Sequence, residues 1–228
     1  MLHRGLDNFI SYYHLFISDM KKLTLAVFDF DGTITRKDTL IEFIKFTKGK
    51  WRFYSGILLF SPLLVAMKLK LFPNWEVKQQ LFSYFYKGIS VEIFDKWGVE
   101  FGAMIDKMLR PKVMKVLKLR RKNGEKIIIV SASIENWIKP WADKTGIDMV
   151  LSTQIGVDFK NRITGKFLTK NCYGQEKVSR LLCAFPNRNE YKLIVYGDSC
   201  GDKELIEMAD EGYKINSEQI FTNEITKD

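Results

Sequence analysis

The apolar run Leu25-Ala26-Val27-Phe28 leads straight into Asp29-Phe30-Asp31-Gly32-Thr33, and this stretch constrains the chain more than any other. The run reads as a buried strand, and in a strand residues two apart share a face. With the strand ending near Asp29 and the chain turning at Gly32, both carboxylates converge at the strand's C-terminal edge. Parallel α/β sheets place their sites at that edge. Two acids held together there call for a cation. They also offer chemistry, one carboxylate attacking as a nucleophile and the other transferring a proton.

The rest of the chain fits a soluble globular protein. Of its 228 residues 46% are hydrophobic, enough for one large domain or a core with an insert. Lys and Arg number 36 against 27 Asp and Glu, a formal charge of +9 that suits an anionic partner such as a phosphorylated substrate or an acidic membrane surface. No dense basic tract interleaved with aromatics is present, so nucleic acid is not expected. Cys172, Cys183 and Cys200 are odd in number and lack CxxC spacing, which argues against a disulfide framework or a zinc site and fits a reducing cytosol. Residues Met1 to Lys22 lack the apolar core and cleavage site of a secretion signal. They are expected to be an N-terminal extension, with Met20-Lys21-Lys22 as a natural start of translation.

After the first motif the pattern turns helical, with Asp38 or Thr39 able to cap Leu40 to Phe46. Helical patterns continue over Trp51 to Phe72, Trp75 to Tyr86 and Val91 to Leu109, so residues 36–110 are expected to form a helical cap. The core is expected in residues 23–35 and 111–228. From Pro111 onward helices and strands alternate: a helix from Val113, the strand Lys126 to Val130, a helix over Ile134 to Lys144, and the strand Met149 to Leu151. A hairpin turning at Lys160-Asn161-Arg162 and a helix from Gln175 follow, and then the strand Leu193 to Tyr196, a helix from Lys203 and a short strand at Tyr213. The fold class is therefore α/β, a Rossmann-like parallel sheet with an inserted helical cap.

Three strands end in polar groups suited to one job: Asp29 and Asp31, then Ser131, then Asp198 and Asp202. A phosphoryl group needs a metal to offset its charge, a hydroxyl or N–H to hold its oxygens and a cation opposite; Ser131 offers the hydroxyl and Lys177 the cation. Ligation by oxygen alone favours Mg²⁺.

The order of these motifs, Asp29-Phe30-Asp31-Gly32-Thr33, Val130-Ser131-Ala132-Ser133, Lys177 and Gly197-Asp198-Ser199-Cys200-Gly201-Asp202, resembles the haloacid dehalogenase superfamily of phosphatases. The resemblance implies that Asp29 is the nucleophile, Asp31 the general acid and base, and Ser131 and Lys177 the phosphate holders. It implies Mg²⁺ on Asp29, the main-chain carbonyl of Asp31 and Asp198, with Asp202 supporting Asp198 and Lys177. Substrate contacts are implied at Thr33, Asp38 and Ala132. A helical insert after the first motif, together with Asn171 to Lys177, looks like the phosphoserine-phosphatase-like branch, subfamily IB with a C1-type cap, and within it the phosphatidylglycerophosphatase C group. Two departures argue against serine phosphate: Asp38 stands where phosphoserine phosphatases carry Glu, and Ser131-Ala132-Ser133 replaces Ser-Gly-Gly.

The implied activity is Mg²⁺-dependent hydrolysis of a phosphomonoester through an aspartyl-phosphate, with an amphiphilic or lipid phosphate as substrate and, as the alternative, phosphoserine or another small phosphorylated metabolite. The alternative of another class is a binding protein that kept the fold and lost turnover. The run Ile57 to Met67, interrupted at Ser61-Pro62 and flanked by Arg52, Lys68 and Lys70, is too short to span a bilayer. It reads equally as buried cap core or as an interfacial anchor, so the chain is expected in the cytoplasm, fully soluble or peripheral at the inner face of an anionic membrane.

Overall fold

The computed structural model describes residues 22–69 and 71–215. The expected N-terminal extension before Lys22, including the Met20 start, and Lys70 lie outside the described residues. Strand β1 (Leu23–Phe28) sits at the centre of a parallel five-stranded sheet, between β2 (Lys126–Ile134) and β6 (Tyr191–Gly197). β3 (Met149–Thr153) and β7 (Glu211–Lys214) form the edges. The continuous apolar run of β1 follows from this central position, because both faces are covered. Ala26 and Phe28 join one core with Ile127, Ile129, Ile194 and Tyr196, whereas Leu25 and Val27 join the other with Ile128, Val130, Leu193 and Val195.

Helices α5 (Pro111–Lys122) and α6 (Glu135–Thr145) bury Val116, Leu117, Trp137 and Trp141 in the first core. Helices α7 (Gln175–Ala184) and α8 (Lys203–Met208) bury Val178, Leu181 and Leu205 in the second. Chain order thus reverses beside β1, and open α/β sheets bind ligands outside the C-terminal ends of the strands at such a point.

Between β1 and β2 the chain inserts four helices: α1 (Thr39–Lys48), α2 (Lys50–Lys68), α3 (Asn74–Tyr86) and α4 (Val91–Met108). The strands leaving and re-entering the sheet are tied side by side, Arg36 N–H donating to the Met108 carbonyl and Arg110 N–H to that of Ile34, each at 2.8 Å. Pro111 then starts α5, where its missing N–H costs nothing. Phe43 of α1 stacks on Trp137 of α6 with ring centroids 4.5 Å apart, and Phe94 and Phe101 of α4 pack edge-on against Phe43. Gly98 lets α4 close on α6, since a Cβ there would lie 2.1 Å from the Asn136 carbonyl oxygen.

The hairpin of β4 (Ile155–Val157) and β5 (Ile163–Phe167) turns where expected, with Asp158 accepting from the N–H groups of Lys160 and Arg162 and Asn161 at φ 56°. It leaves the main sheet and joins the insert. Gly88 N–H donates to the Ile163 carbonyl and Ile163 N–H to that of Ile89, both at 2.8 Å. Helix α2 departs from the cap-core reading: of its nineteen residues only Phe53 and Gly56 are buried.

Candidate active site

Asp29 follows the last residue of β1 and is fixed by its N–H, which donates to the Tyr196 carbonyl of β6 at 2.9 Å. Its Oδ1 accepts from Lys177 Nζ at 2.6 Å, and the same ammonium donates to Asp202 Oδ1 at 2.5 Å. Lys177 is 2% exposed, so this is a buried bridge between two carboxylates. The first turn of α7 delivers it, held to the last motif by Gly174 N–H donating to the Gly201 carbonyl at 2.9 Å. Asp202 has both oxygens engaged, the second accepting from the N–H and Oγ of Ser199 at 3.0 and 2.8 Å. Asp198 is half-buried and accepts from Thr33 Oγ1 at 3.3 Å. Gly32 is required beside it, at φ 82° and with space for a Cβ only 2.1 Å from Asp198 Oδ2.

Ligand atoms of Asp29, Asp198 and Asp202 lie within 4.8 Å of one another. Three carboxylates against one buried lysine leave an excess of negative charge, and the donors are all oxygen. That set fits a hard divalent cation such as Mg²⁺. Because Asp202 is saturated by Lys177 and Ser199, Asp29 and Asp198 are the side chains with capacity left for it. Burial pushes the Asp29 carboxyl up to about 7 against the pull of Lys177, with Asp202 and Asp31 adding to the rise. Burial pulls Lys177 down, but Asp29 and Asp202 outweigh it and hold the ammonium above the ordinary lysine value.

Asp31 points elsewhere. Its Oδ1 accepts from Thr39 N–H at 2.9 Å, and its Oδ2 accepts from Ser133 Oγ. Trp137 Nε1 donates to Thr39 Oγ1 at 3.0 Å, and Thr39 Oγ1 lies 3.1 Å from Ser133 Oγ. Ser133 spends its one hydroxyl proton on the accepting Asp31 carboxylate, so Thr39 donates to Ser133 and the protons run one way, from Trp137 to Thr39 to Ser133 to Asp31. Burial pushes the Asp31 carboxyl up to about 6; Asp38 adds to this, while the Ser133 and Thr39 hydrogen bonds and the charge of Lys78 oppose it. Ser131, at the bulge of β2, is buried, and its Oγ accepts from Ser133 N–H at 3.0 Å.

With this arrangement in view, residues 26–207 match the haloacid dehalogenase-like hydrolase family. The chain is a haloacid dehalogenase-like hydrolase. It is 34% identical over 194 residues to protein CicA of Caulobacter vibrioides, covering 84% of this chain and 86% of that one. Among solved structures it is similar to a protein of unknown function from Bordetella pertussis Tohama I, at a TM-score of 0.71 and 19% identity, covering 82% of this chain and 87% of that one. It is also similar to a phospho-aspartyl intermediate analogue of phosphoserine phosphatase, at a TM-score of 0.56 and 16% identity, covering 83% of this chain and 84% of that one. These structural likenesses show the fold: a parallel α/β core with a C1-type helical insertion.

In this hydrolase Asp29, Lys177, Asp198 and Asp202 meet at one sheet edge, with Asp31 beside Asp29 and Ser131 on the neighbouring strand β2. Three expected substrate contacts read differently. Thr33 is fully buried and its hydroxyl is spent on Asp198, so its side chain braces a carboxylate. Asp38 is the exposed N-cap of α1, accepting from Ile41 N–H at 3.0 Å, and it reaches the site only through its charge on Asp31. Ala132 lies at the site, but its carbonyl already accepts from Lys78 Nζ at 2.8 Å and Thr153 Oγ1 at 2.9 Å. Sequence reasoning missed Lys78, an insert lysine brought to the motif edge, and the roles of Thr39 and Ser133 on Asp31. Ser133 could have been found from Ser131-Ala132-Ser133, whose second hydroxyl has no place in a Ser-Gly-Gly pattern.

Proposed function

We propose that the chain is a Mg²⁺-dependent phosphomonoester hydrolase working through an aspartyl-phosphate. The observation that carries this reading is the division of labour between two neighbouring acids. Asp29 is bound to a buried lysine within an acid-rich cluster, while Asp31 sits apart on its own donors with its carboxyl raised to about 6. Asp29 attacks phosphorus and the ester oxygen leaves with the proton of Asp31. Asp31, now ionised, takes a proton from water, which hydrolyses the acyl phosphate and frees Asp29. Ser131 Oγ and Lys177 Nζ hold the phosphoryl oxygens, and Asp202 keeps Lys177 in place. Asp29, Asp198 and the main-chain carbonyl of Asp31 would hold Mg²⁺, which supplies Lewis-acid stabilisation of the phosphoryl charge when bound.

The substrate in this reading carries an apolar tail, as in the phosphatidylglycerophosphatase C group that the motifs resemble. A groove of about 840 Å³, bounded by Trp75 and Gln79 of α3, by Phe167 and Leu168, and by Tyr173 and Glu176, offers apolar surface for such a tail, although none of Asp29, Asp31, Ser131, Lys177 and Asp198 lines it. Each methylene buried there would contribute about 0.8 kcal/mol, a gain denied to a small polar ester. A lipid phosphate is met at a membrane surface, so peripheral contact with an anionic membrane belongs to the same reading.

The test is phosphate release with and without Mg²⁺ from phosphoserine, a generic aryl phosphate, lysophosphatidate and phosphatidylglycerophosphate. Mg²⁺-dependent turnover that disappears in Asp29→Asn is expected, fastest on the acyl-bearing esters. Phosphoserine hydrolysed well above both lipids would replace the amphiphile with a small metabolite. No turnover on any ester, with phosphate still bound, would leave a binding protein.

A further inference from the structure

Helix α2 should be among the insert's buried struts, yet it turns an apolar face to solvent. Trp51 is 89% exposed and Leu58 76% exposed, and Tyr54, Pro62, Val65 and Leu69 are exposed as well. Positions 51, 54, 58, 62, 65 and 69 are spaced three or four apart, so they form one stripe along the helix. Phe53 and Gly56, the residues α2 buries, fall on the opposite side. The inner side is apolar too, which conceals the stripe in the sequence. Just past the helix Leu71, Phe72 and Trp75 are also exposed. Apolar surface of this extent, with no partner among the described residues, marks an interaction site.

The charges around the stripe choose its occupant. No Asp or Glu occurs between Glu42 and Glu76, whereas Lys50, Arg52 and Lys68 are exposed at the two ends of the helix. The chain as a whole carries +9. A second copy docked about a twofold axis would bring these basic ends against one another or run them past an equally basic surface. An anionic lipid surface complements both features: its acyl region takes the stripe and its headgroups take the lysines and arginine. Trp51 and Trp75, near the two ends of the exposed surface, are residues of the kind that settle at a lipid–water boundary. None of the described helices is long and apolar enough to cross a membrane, so α2 lies in the plane of the surface.

We propose that the exposed face of α2, continued through Leu71 and Phe72 to Trp75, docks this protein on anionic bilayers. Trp75 also lines the apolar groove, so the docking face runs up to the surface offered to an acyl tail. That last step rests on the amphiphilic-substrate reading; the docking itself does not.

The test is flotation of the full chain with phosphatidylcholine vesicles, with and without phosphatidylglycerol, at low and high salt, alongside light scattering to fix the oligomeric state. Binding to the phosphatidylglycerol vesicles that weakens as salt rises is expected. Leu58→Glu and Val65→Glu should each weaken it about tenfold or more, with hydrolysis of a water-soluble aryl phosphate unchanged. Brominated lipid should quench tryptophan emission in the parent chain and less in Trp51→Phe, a readout needing no charge in the stripe. Asp29→Asn should float like the parent, which separates docking from turnover. Absence of flotation at low salt would overturn the proposal. So would a dimer that Leu58→Glu dissociates, or flotation and quenching unaltered by the stripe substitutions.

Discussion

Removing the ammonium of Lys177 tests the reading of the site at its most buried point. Lys177→Met keeps length and volume while leaving Asp29 and Asp202, at 2.6 and 2.5 Å from the lost charge, without their cation. Deleting one member of a buried pair typically costs about 3–5 kcal/mol, because the remaining charge is stranded. In a protein of this size about 2–4 °C of Tm corresponds to each kcal/mol, so the variant should melt about 6–20 °C below the parent. The deficit should depend on pH with a definite sign. Stranded in the folded state, Asp29, whose carboxyl burial already raises, binds its proton above the unfolded pKa of about 4, so the native state holds more protons than the unfolded one. Stability of the variant therefore falls as pH rises above about 4, and levels off once the folded-state pKa values are passed. Thermal melts followed by circular dichroism between pH 5 and pH 8 check this. The control is Lys203→Met, which breaks an exposed pair with Glu207 at 3.7 Å and should cost at most about 0.5 kcal/mol. A Lys177→Met melt at pH 8 within the range of that control would refute a charged, buried bridge.

Asp31→Asn should lower turnover of alkyl phosphates by about 10²–10⁴ but spare an aryl ester, whose phenolate leaves without a proton. Since Asp31 must be protonated to serve as the acid, the rate on alkyl esters should fall as pH rises through about 6. Ser133→Ala, by removing a bond that favours the ionised form, should move that limb up, and Asp38→Asn, by removing a repelling charge, should move it down; pH–rate profiles decide. Beryllium fluoride with Mg²⁺, a mimic of the phosphoryl group on Asp29, should stabilise the fold by about 2.7 kcal/mol at a hundred times its Kd, and Lys177→Ala should abolish the shift in a thermal melt. Gly98→Ala, which sets a methyl against the Asn136 carbonyl, should cost about 1–3 kcal/mol in denaturant unfolding by forcing α4 off α6.

The site's chemistry was legible in the chain because parallel strands write it locally. Leu25 to Phe28, Ile127 to Val130 and Leu193 to Tyr196 are apolar at every position since both faces are covered, and each run gives way to polar residues at the sheet's C-terminal edge. The acids at Asp29, Asp31 and Asp198, and Ser131, stand at those stops. The four-helix insert was legible for a similar reason, as a long stretch of helical pattern with no room for it inside a loop.

Contacts made across long separations were not legible. Lys78 meets Ala132 over 54 residues, Thr39 meets Ser133 over 94, and Ser133 meets Asp31 over 102. None leaves a local pattern, since a lysine in a helix and a serine after a strand have ordinary solvated uses. What Thr33 and Asp38 face was hidden for the same reason: a hydroxyl and a carboxylate near a site do not announce whether they face the substrate, a neighbouring acid or a helix end, although Asp38 was legible as a cap of its helix. The hairpin's turn was written in Lys160-Asn161-Arg162, but its attachment to the insert depends on Gly88, Ile89 and Gln79. Sequence alone determined that α2 is an apolar helix. Only the tertiary structure decided that its stripe from Trp51 to Leu69 faces outward, because hydrophobicity records that a surface avoids water and not which neighbour covers it.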